Sequence, residues 1–315
     1  MWLQVRMYFL VLILFGILYA LFVIAGTLLG IGSFLFFGGL ATFFMVLQYL
    51  IGPKLVEFSM KVKHVSEKEA PKLHAMIADL AKKAGIPKPK VGISLVSIPN
   101  AFAYGRWRSD SRICVTQGIL DLLTDEELKA VLGHEISHVK HRDVMIMTMI
   151  AVIPTIAWYI AYSTMFSRHD NNSGSIALLG IAAFVIYFIT NLLVTYGSRI
   201  REYAADKGAV QLGEEPHHFA SALYKLVYGN AKVSKKELKK IEGMKAFFAS
   251  DPSRAHREIL ELKQVDTDLS GHIDKHELAA LREKKVTVSV GDRLFEILST
   301  HPNMVKRIQK LSSYT

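Results

Sequence analysis

From Met7 to Pro53 the chain runs for 47 residues without one Asp, Glu, Lys, Arg or His. Crossing a hydrocarbon core takes about 20 helical residues, so this run has room for two spans and excludes a purely water-soluble chain. Four apolar stretches can be drawn, at 7–28, 33–52, 144–167 and 175–197. The first two are joined by Gly30-Ile31-Gly32-Ser33, a turn suited to re-entry. The third contains Pro154, which a membrane helix tolerates where neighbours satisfy the freed carbonyl. The apolar core of the first is longer than the roughly 7–15 residues of a cleaved signal peptide, so it reads as an anchor.

Four spans return every flanking segment to one side. The chain carries 38 Lys and Arg against 28 Asp and Glu. Of the 38, residues 53–143 hold 15 and residues 198–315 hold 21, so the basic excess lies in the segments that share a side, as positive residues do on a cytoplasmic face. This distribution argues for a cytoplasmic face carrying the polar segments of a multi-pass protein of the cell (inner or plasma) membrane, and no nucleic-acid partner is expected. The lone Cys114 cannot form an intrachain disulfide and reads as part of an apolar strand. The implied organisation is an N-terminal transmembrane hairpin at 1–53 and the first part of a polar domain at 54–143. A second transmembrane hairpin follows at 144–197, then the second part of the polar domain at 198–315.

The polar part begins with a helix over 66–84. Ser66 and Glu69 have capping-box spacing, Leu73, Ile77, Leu80 and Ala84 recur at helical intervals, and Gly85-Ile86-Pro87 ends it. Three β-rich runs follow at 91–96, 101–107 and 112–116, suggesting a small antiparallel sheet. The fold class is therefore α+β, mostly helical. A second capping box, Thr124 and Glu127, opens a helix over 126–143.

That helix contains His134-Glu135-Ile136-Ser137-His138. Histidines at i and i+4 project from one face and can bind one zinc ion, while Glu135, one residue along, can reach a water on the metal and act as general base. With twelve histidines and sixteen glutamates in 315 residues, such a word is expected by chance only roughly 0.02 times. Zinc that keeps one position open for water needs a third protein ligand. Glu202, in Arg201-Glu202-Tyr203-Ala204-Ala205-Asp206 just after the fourth apolar stretch, is the leading candidate. Asp206, one turn on, would hold a ligand imidazole by its other N–H. The bland reading has both acids paired with Arg199, Arg201 or Lys207 on a solvated helix.

At these residues the chain resembles the HtpX-type membrane metallopeptidases, relatives of the zinc CaaX prenyl protease. The resemblance rests on Gly85-Ile86-Pro87, Asn100-Ala101-Phe102-Ala103, Val115 to Leu120, Leu132 to His138, Arg201 to Asp206, and Ser299-Thr300-His301-Pro302 with Arg307-Ile308. It implies a gluzincin-like domain with one zinc per chain held by His134, His138 and Glu202. The substrates it implies are misfolded or damaged membrane proteins and unfolded polypeptides, met at the lipid bilayer. It further implies that Asn100, Ala101, Phe102 and Ala103 line the cleft, where a substrate backbone adds as a strand. His301 and Arg307 would stabilise the oxyanion or brace the site.

One segment departs from the typical bacterial pattern. Asp266 to Glu277 has the spacing of a twelve-residue EF-hand loop within an insert at 254–285. Asp266, Asp268, Ser270, His272 (through its carbonyl), Asp274 and Glu277 would ligate calcium, with Gly271 at the turn. A capped turn between two helices fits the same residues. Two rival functions remain. A prenyl-protein protease shares the zinc motifs but uses more spans; a non-catalytic calcium-sensing membrane adaptor would leave the zinc helix vestigial.

Overall fold

The structure, a computed structural model, describes Ile13, Gly16, Ile17, Ala20 and residues 34–166, 173–233, 255–284 and 286–315. Apart from those four residues, the first apolar stretch lies outside this set, as does the Gly30–Ser33 turn. The second stretch lies in helix α1 (Phe34–Ser59). Among the described residues, one helix, spanning Leu178–Gln211, is long and apolar enough to cross a membrane.

The chain divides into two units, 1–52 with 145–198 and 53–144 with 199–315. In the first unit, Ile146, Ile150 and Ile153 pack with Val194. Ala157 and Ala161 meet Ala183, where small side chains permit a close approach.

The second unit is built on a four-stranded sheet of β1 (Val62–His64), β2 (Lys90–Ser94), β3 (Ala101–Tyr104) and β4 (Arg112–Thr116), in the order β1-β2-β4-β3. The sheet is mixed, not antiparallel: β2 and β4 run parallel, Val91 beside Ile113, while β1 and β3 are antiparallel to their neighbours. The chain reverses after β2 but skips one strand position. The β3–β4 hairpin then folds β4 back into that slot, so β4 points the way β2 does. Being central, β4 is apolar on both faces, with Ile113, Cys114 and Val115 fully buried. β1, too short to stand out as a pattern, is an additional strand on the other edge.

Helix α2 (Pro71–Ala84) starts five residues later than its sequence suggests. Glu69 accepts from both the Ser66 N–H and the Ser66 hydroxyl, at 2.7 and 2.8 Å, closing a separate turn. Pro71, with φ preset and no N–H to satisfy, then begins the helix. Gly85, at φ +68°, ends it. α3 (Gln117–Leu122) leads from β4 into α4 (Asp125–His141), which is followed by α5 (Asp143–Phe166) and α6 (Ser173–Gln211). Its 39 residues give α6 a length of about 58 Å, nearly twice a hydrocarbon core. After it come α7 (Pro216–Ala231), α8 (Ala255–Leu262), α9 (Lys275–Ala280), α10 (Val290–Ile297) and α11 (Met304–Ser312). The core of this unit joins Ile77 and Leu80 of α2, Leu132 and Ile136 of α4, Leu223 and Val227 of α7, and Ile308 and Leu311 of α11. Burying each such side chain contributes about 1.5–3 kcal/mol.

Candidate metal centre

α4 is fixed at its start by a full capping box. The Thr124 hydroxyl accepts from the Glu127 N–H, and the Glu127 carboxylate accepts from the Thr124 N–H at 2.9 Å. Glu127 is buried and also accepts from the Ser221 hydroxyl at 2.6 Å and from Lys225 Nζ at 2.7 Å, both on α7. Burial pushes its carboxyl up, but the bonds from Lys225, Ser221 and Thr124 outweigh it and leave Glu127 below its ordinary range.

α6 lies unusually close to α4. A Cβ on Gly208 would sit 2.0 Å from the Ser137 hydroxyl oxygen, so only glycine fits there. That approach turns Glu202 and Asp206, one helical turn apart, toward the two imidazoles. The Nε2 atoms of His134 and His138 are 3.0 Å apart. Glu202 Oε2 is 3.7 Å from the first and Oε1 3.5 Å from the second.

The opposite ring nitrogens are each taken by a carboxylate. Asp206 Oδ1 lies 2.9 Å from His134 Nδ1, and Asp143 Oδ2 lies 2.7 Å from His138 Nδ1. A carboxylate accepts, so each Nδ1 is assigned the proton and each Nε2 carries a lone pair. Two lone pairs at 3.0 Å repel, and the buried Glu202 carboxylate faces both of them at 3.5–3.7 Å. A divalent cation between the three resolves that repulsion. Tetrahedral zinc with bonds of about 2.0–2.1 Å has ligand edges of about 3.3 Å, which the three observed edges bracket.

Arg307, fully buried, clamps the acids from behind. Its Nε and Nη2 donate to Asp206 at 2.9 and 2.6 Å, and its Nη1 lies 3.2 Å from Glu202 Oε2. Burial alone would push Glu202 up; His301 and Arg307 hold it well below the usual carboxylate range. Asp206 is lowered in the same way, Arg307 and His134 overcoming burial. His301 Nδ1 stands 3.4 Å from Glu202 Oε2, and neither of its ring nitrogens makes a hydrogen bond. Glu135 is different: burial pushes its carboxyl up to about 7, the range that suits a proton carrier near neutrality. Glu135 also accepts from the Ala103 N–H on β3, the outer strand of the sheet. Of the other residues expected in the cleft, Asn100, Ala101 and Phe102 are buried, and Phe102 packs on Tyr104.

Three partners escape a reading of the sequence alone. Asp143 follows a left-handed Arg142 (φ +60°) that ends α4 and turns the chain back to His138. Arg201 pairs with Asp143. The Phe219 ring of α7 rests 5.4 Å from the His134 ring. Only the spacing of Asp143, five residues past the second histidine, carried any signal.

In the 266–277 loop, oxygens of Asp266, Asp268 and Glu277 lie within 4.8 Å of one another. Their present partners are N–H and O–H donors. Ser270 N–H donates to Asp266 and Asp268, Gly271 N–H to Asp266, Thr267 to Glu277, and the Tyr224 hydroxyl of α7 to Asp266 at 2.5 Å. Asp274 and Glu277 form the capping box of α9, and the Ser270 hydroxyl donates to the His272 carbonyl.

Residues 67–315 match the model of peptidase family M48. The chain is 54% identical over 225 residues to a protease HtpX homolog of Methanothermobacter thermautotrophicus, covering 71% of this chain and 86% of that one. It is 33% identical over 307 residues to protease HtpX homolog 2 of Methanosarcina mazei, covering 93% and 92%. A crystal structure of S. mikatae Ste24p aligns with a TM-score of 0.48 at 18% identity, over 94% of this chain and 62% of that one. With its His-Glu-x-x-His helix, its Glu202 and a family match over most of its length, the chain belongs to peptidase family M48 as an HtpX-type metallopeptidase.

Proposed function

We propose that the protein is a zinc endopeptidase that cleaves misfolded or damaged membrane proteins at the cytoplasmic face of the cell membrane. The observation that carries this reading is the pair of Nε2 lone pairs facing each other across 3.0 Å, with the Glu202 carboxylate 3.5–3.7 Å from both. His134, His138 and Glu202 hold the zinc, which when bound lowers the pKa of water toward about 7 and polarises a carbonyl. Glu135 takes the proton of the attacking water and passes it to the leaving amine as the C–N bond breaks. Its elevated carboxyl suits both halves of that transfer. Asp206, Asp143 and Arg307 are positioning residues, and His301 faces the oxyanion that develops on the carbonyl. The substrate backbone adds along β3, whose Ala103 N–H already meets Glu135.

The cytoplasmic side is supported by the Lys and Arg excess of 53–143 and 198–315, and multi-pass insertion by the four apolar stretches. Calcium at Asp266, Asp268, Ser270, His272, Asp274 and Glu277 belongs to the same reading. It is supported by the twelve-residue spacing and the convergence of three carboxylates.

The test is Glu135→Gln in the full chain. Zinc content measured by atomic absorption stays at one per chain while cleavage of casein or a destabilised membrane protein falls by about 10²–10⁴-fold, the contribution typical of a positioned base. Persistent cleavage would show that the base is another group, and a metal-free wild type would remove the zinc reading altogether.

A further inference from the structure

Helix α10 is inside out. Along Val290–Ile297 its acids face inward: Asp292 and Glu296 are each 8% exposed. Its large apolar residues face outward: Val290 is 74% exposed, Leu294 61%, Phe295 50% and Leu298, just past its end, 53%. At about 100° per residue, Val290, Leu294, Leu298 and Phe295 cover an arc of roughly 140°, and the two acids lie on the other side. The acids are anchored. Glu296 accepts from Lys306 and from the Asn303 N–H, and Asp292 accepts from the Ser289 hydroxyl at 2.6 Å. Rolling the helix to bury its apolar arc would break those bonds, so the outward face is the stable one.

Two observations identify what the arc meets. Arg199 donates to the carbonyls of Glu296, Ile297 and Ser299 at 2.7–2.9 Å and so holds the C-terminal end of α10. Arg199 is also the first charged residue after 28 uncharged ones, 171–198, and α6 leaves its apolar run there. A charge marks where a spanning helix reaches the headgroups, so α10 is tied at the depth of the membrane surface. Cations also flank the arc. Arg293 is exposed on one side, and the Arg257 guanidinium lies 4.4 Å above the Phe295 ring on the other. An apolar face rimmed by arginines is the pattern of a helix lying in the interface of an anionic bilayer.

We propose that α10 is an interfacial helix, with Val290, Leu294, Phe295 and Leu298 seated at the boundary between headgroups and acyl chains. It rests on the membrane reading of α6. Seated there, α10 adds a lipid contact to the side of the unit that carries α11 and Arg307, independent of the spans.

The experiment uses the full chain with Cys114→Ala, one added cysteine carrying bimane, and reconstitution in phosphatidylcholine–phosphatidylglycerol vesicles with brominated acyl chains. Cysteines replace Leu294, Ile181 in the apolar part of α6, and Glu283 in a polar turn, and retained cleavage reports folding. The expected result is loss of emission at 294 and at 181, with 283 unaffected by bromine and quenched by aqueous iodide. Quenching at 181 but not at 294, with iodide reaching 294, overturns this proposal and leaves the membrane reading intact. Bromine failing at both positions overturns the membrane reading and this proposal with it. A label at 294 shielded from both quenchers overturns the lipid assignment in favour of a protein cover, either a second copy or residues 234–254.

Discussion

Two clusters in the same unit offer three metal-seeking side chains each, His134–His138–Glu202 and Asp266–Asp268–Glu277. They differ in where the hydrogen-bond donors are. In the first, the imidazole N–H groups point outward, to the accepting carboxylates of Asp206 and Asp143, and Arg307 braces the acids, while the inward Nε2 atoms face one another as acceptors. In the second, the N–H groups of Thr267, Ser270 and Gly271 already bind the inward carboxylates. A buried cluster whose inner atoms only accept requires a cation to be stable, because unpaired buried acceptors are costly. A loop that satisfies itself holds its shape alone, and an ion there competes with existing bonds.

The largest effect separates the two by metal replacement. A chelator strips the chain and cleavage falls to background; zinc alone restores it, and calcium alone does not. Calorimetry on the zinc-loaded chain then shows heat at millimolar calcium, which Asp268→Ala abolishes without loss of cleavage. Recovery of cleavage with calcium alone would erase the distinction. No heat at millimolar calcium would leave the loop a capped turn between α8 and α9.

Next in size is the clamp. Arg307→Met keeps the bulk of the side chain but leaves Asp206 and Glu202 without their cation, at a cost of about 3–5 kcal/mol for breaking a buried pair. In urea the midpoint drops, and zinc affinity falls with it because both carboxylates lose their position. An unchanged midpoint would mean that the two acids find compensation from water, and that the bracing drawn from the 2.6–3.2 Å contacts is wrong.

This contrast also explains what the sequence could and could not reveal. His134 and His138 are legible because one helix sets their geometry at i and i+4, and Glu202 with Asp206 because they share one turn of a second helix. Asp143 and Phe219 are not, since their roles arise only when α4 ends in a left-handed turn and α7 packs across it. Strand order was hidden for a related reason. The patterns of β2, β3 and β4 show three apolar runs, but the slot into which β4 folds is fixed by the β3–β4 hairpin and not by alternation. α10 is the sharpest case. Its spacing announces two faces, yet which one is buried depends on Asn303 and Lys306, beyond the helix end, and on Arg199, 97 residues away in the chain.

The smallest effect concerns the capping boxes that open the helices at the two clusters. At α9 the box of Asp274 and Glu277 lies within the loop, whereas at α4 Glu127 also reaches across to Ser221 and Lys225 of α7. That tertiary bond makes the start of α4 sensitive to acid. The folded carboxyl of Glu127 lies below its unfolded value, so its contribution is fully present above about pH 4.3 and is lost as pH falls through the folded value. Glu127→Gln keeps an amide oxygen to cap Thr124 but gives up the charge opposite Lys225, costing about 1.5 kcal/mol near neutral pH. Thermal midpoints of wild type and variant should therefore differ at pH 7 and converge once the pH falls below the folded value of Glu127. Parallel curves down to pH 3 would show that the Lys225 contact contributes nothing specific to the ionised form, and that the capping box alone sets the start of α4.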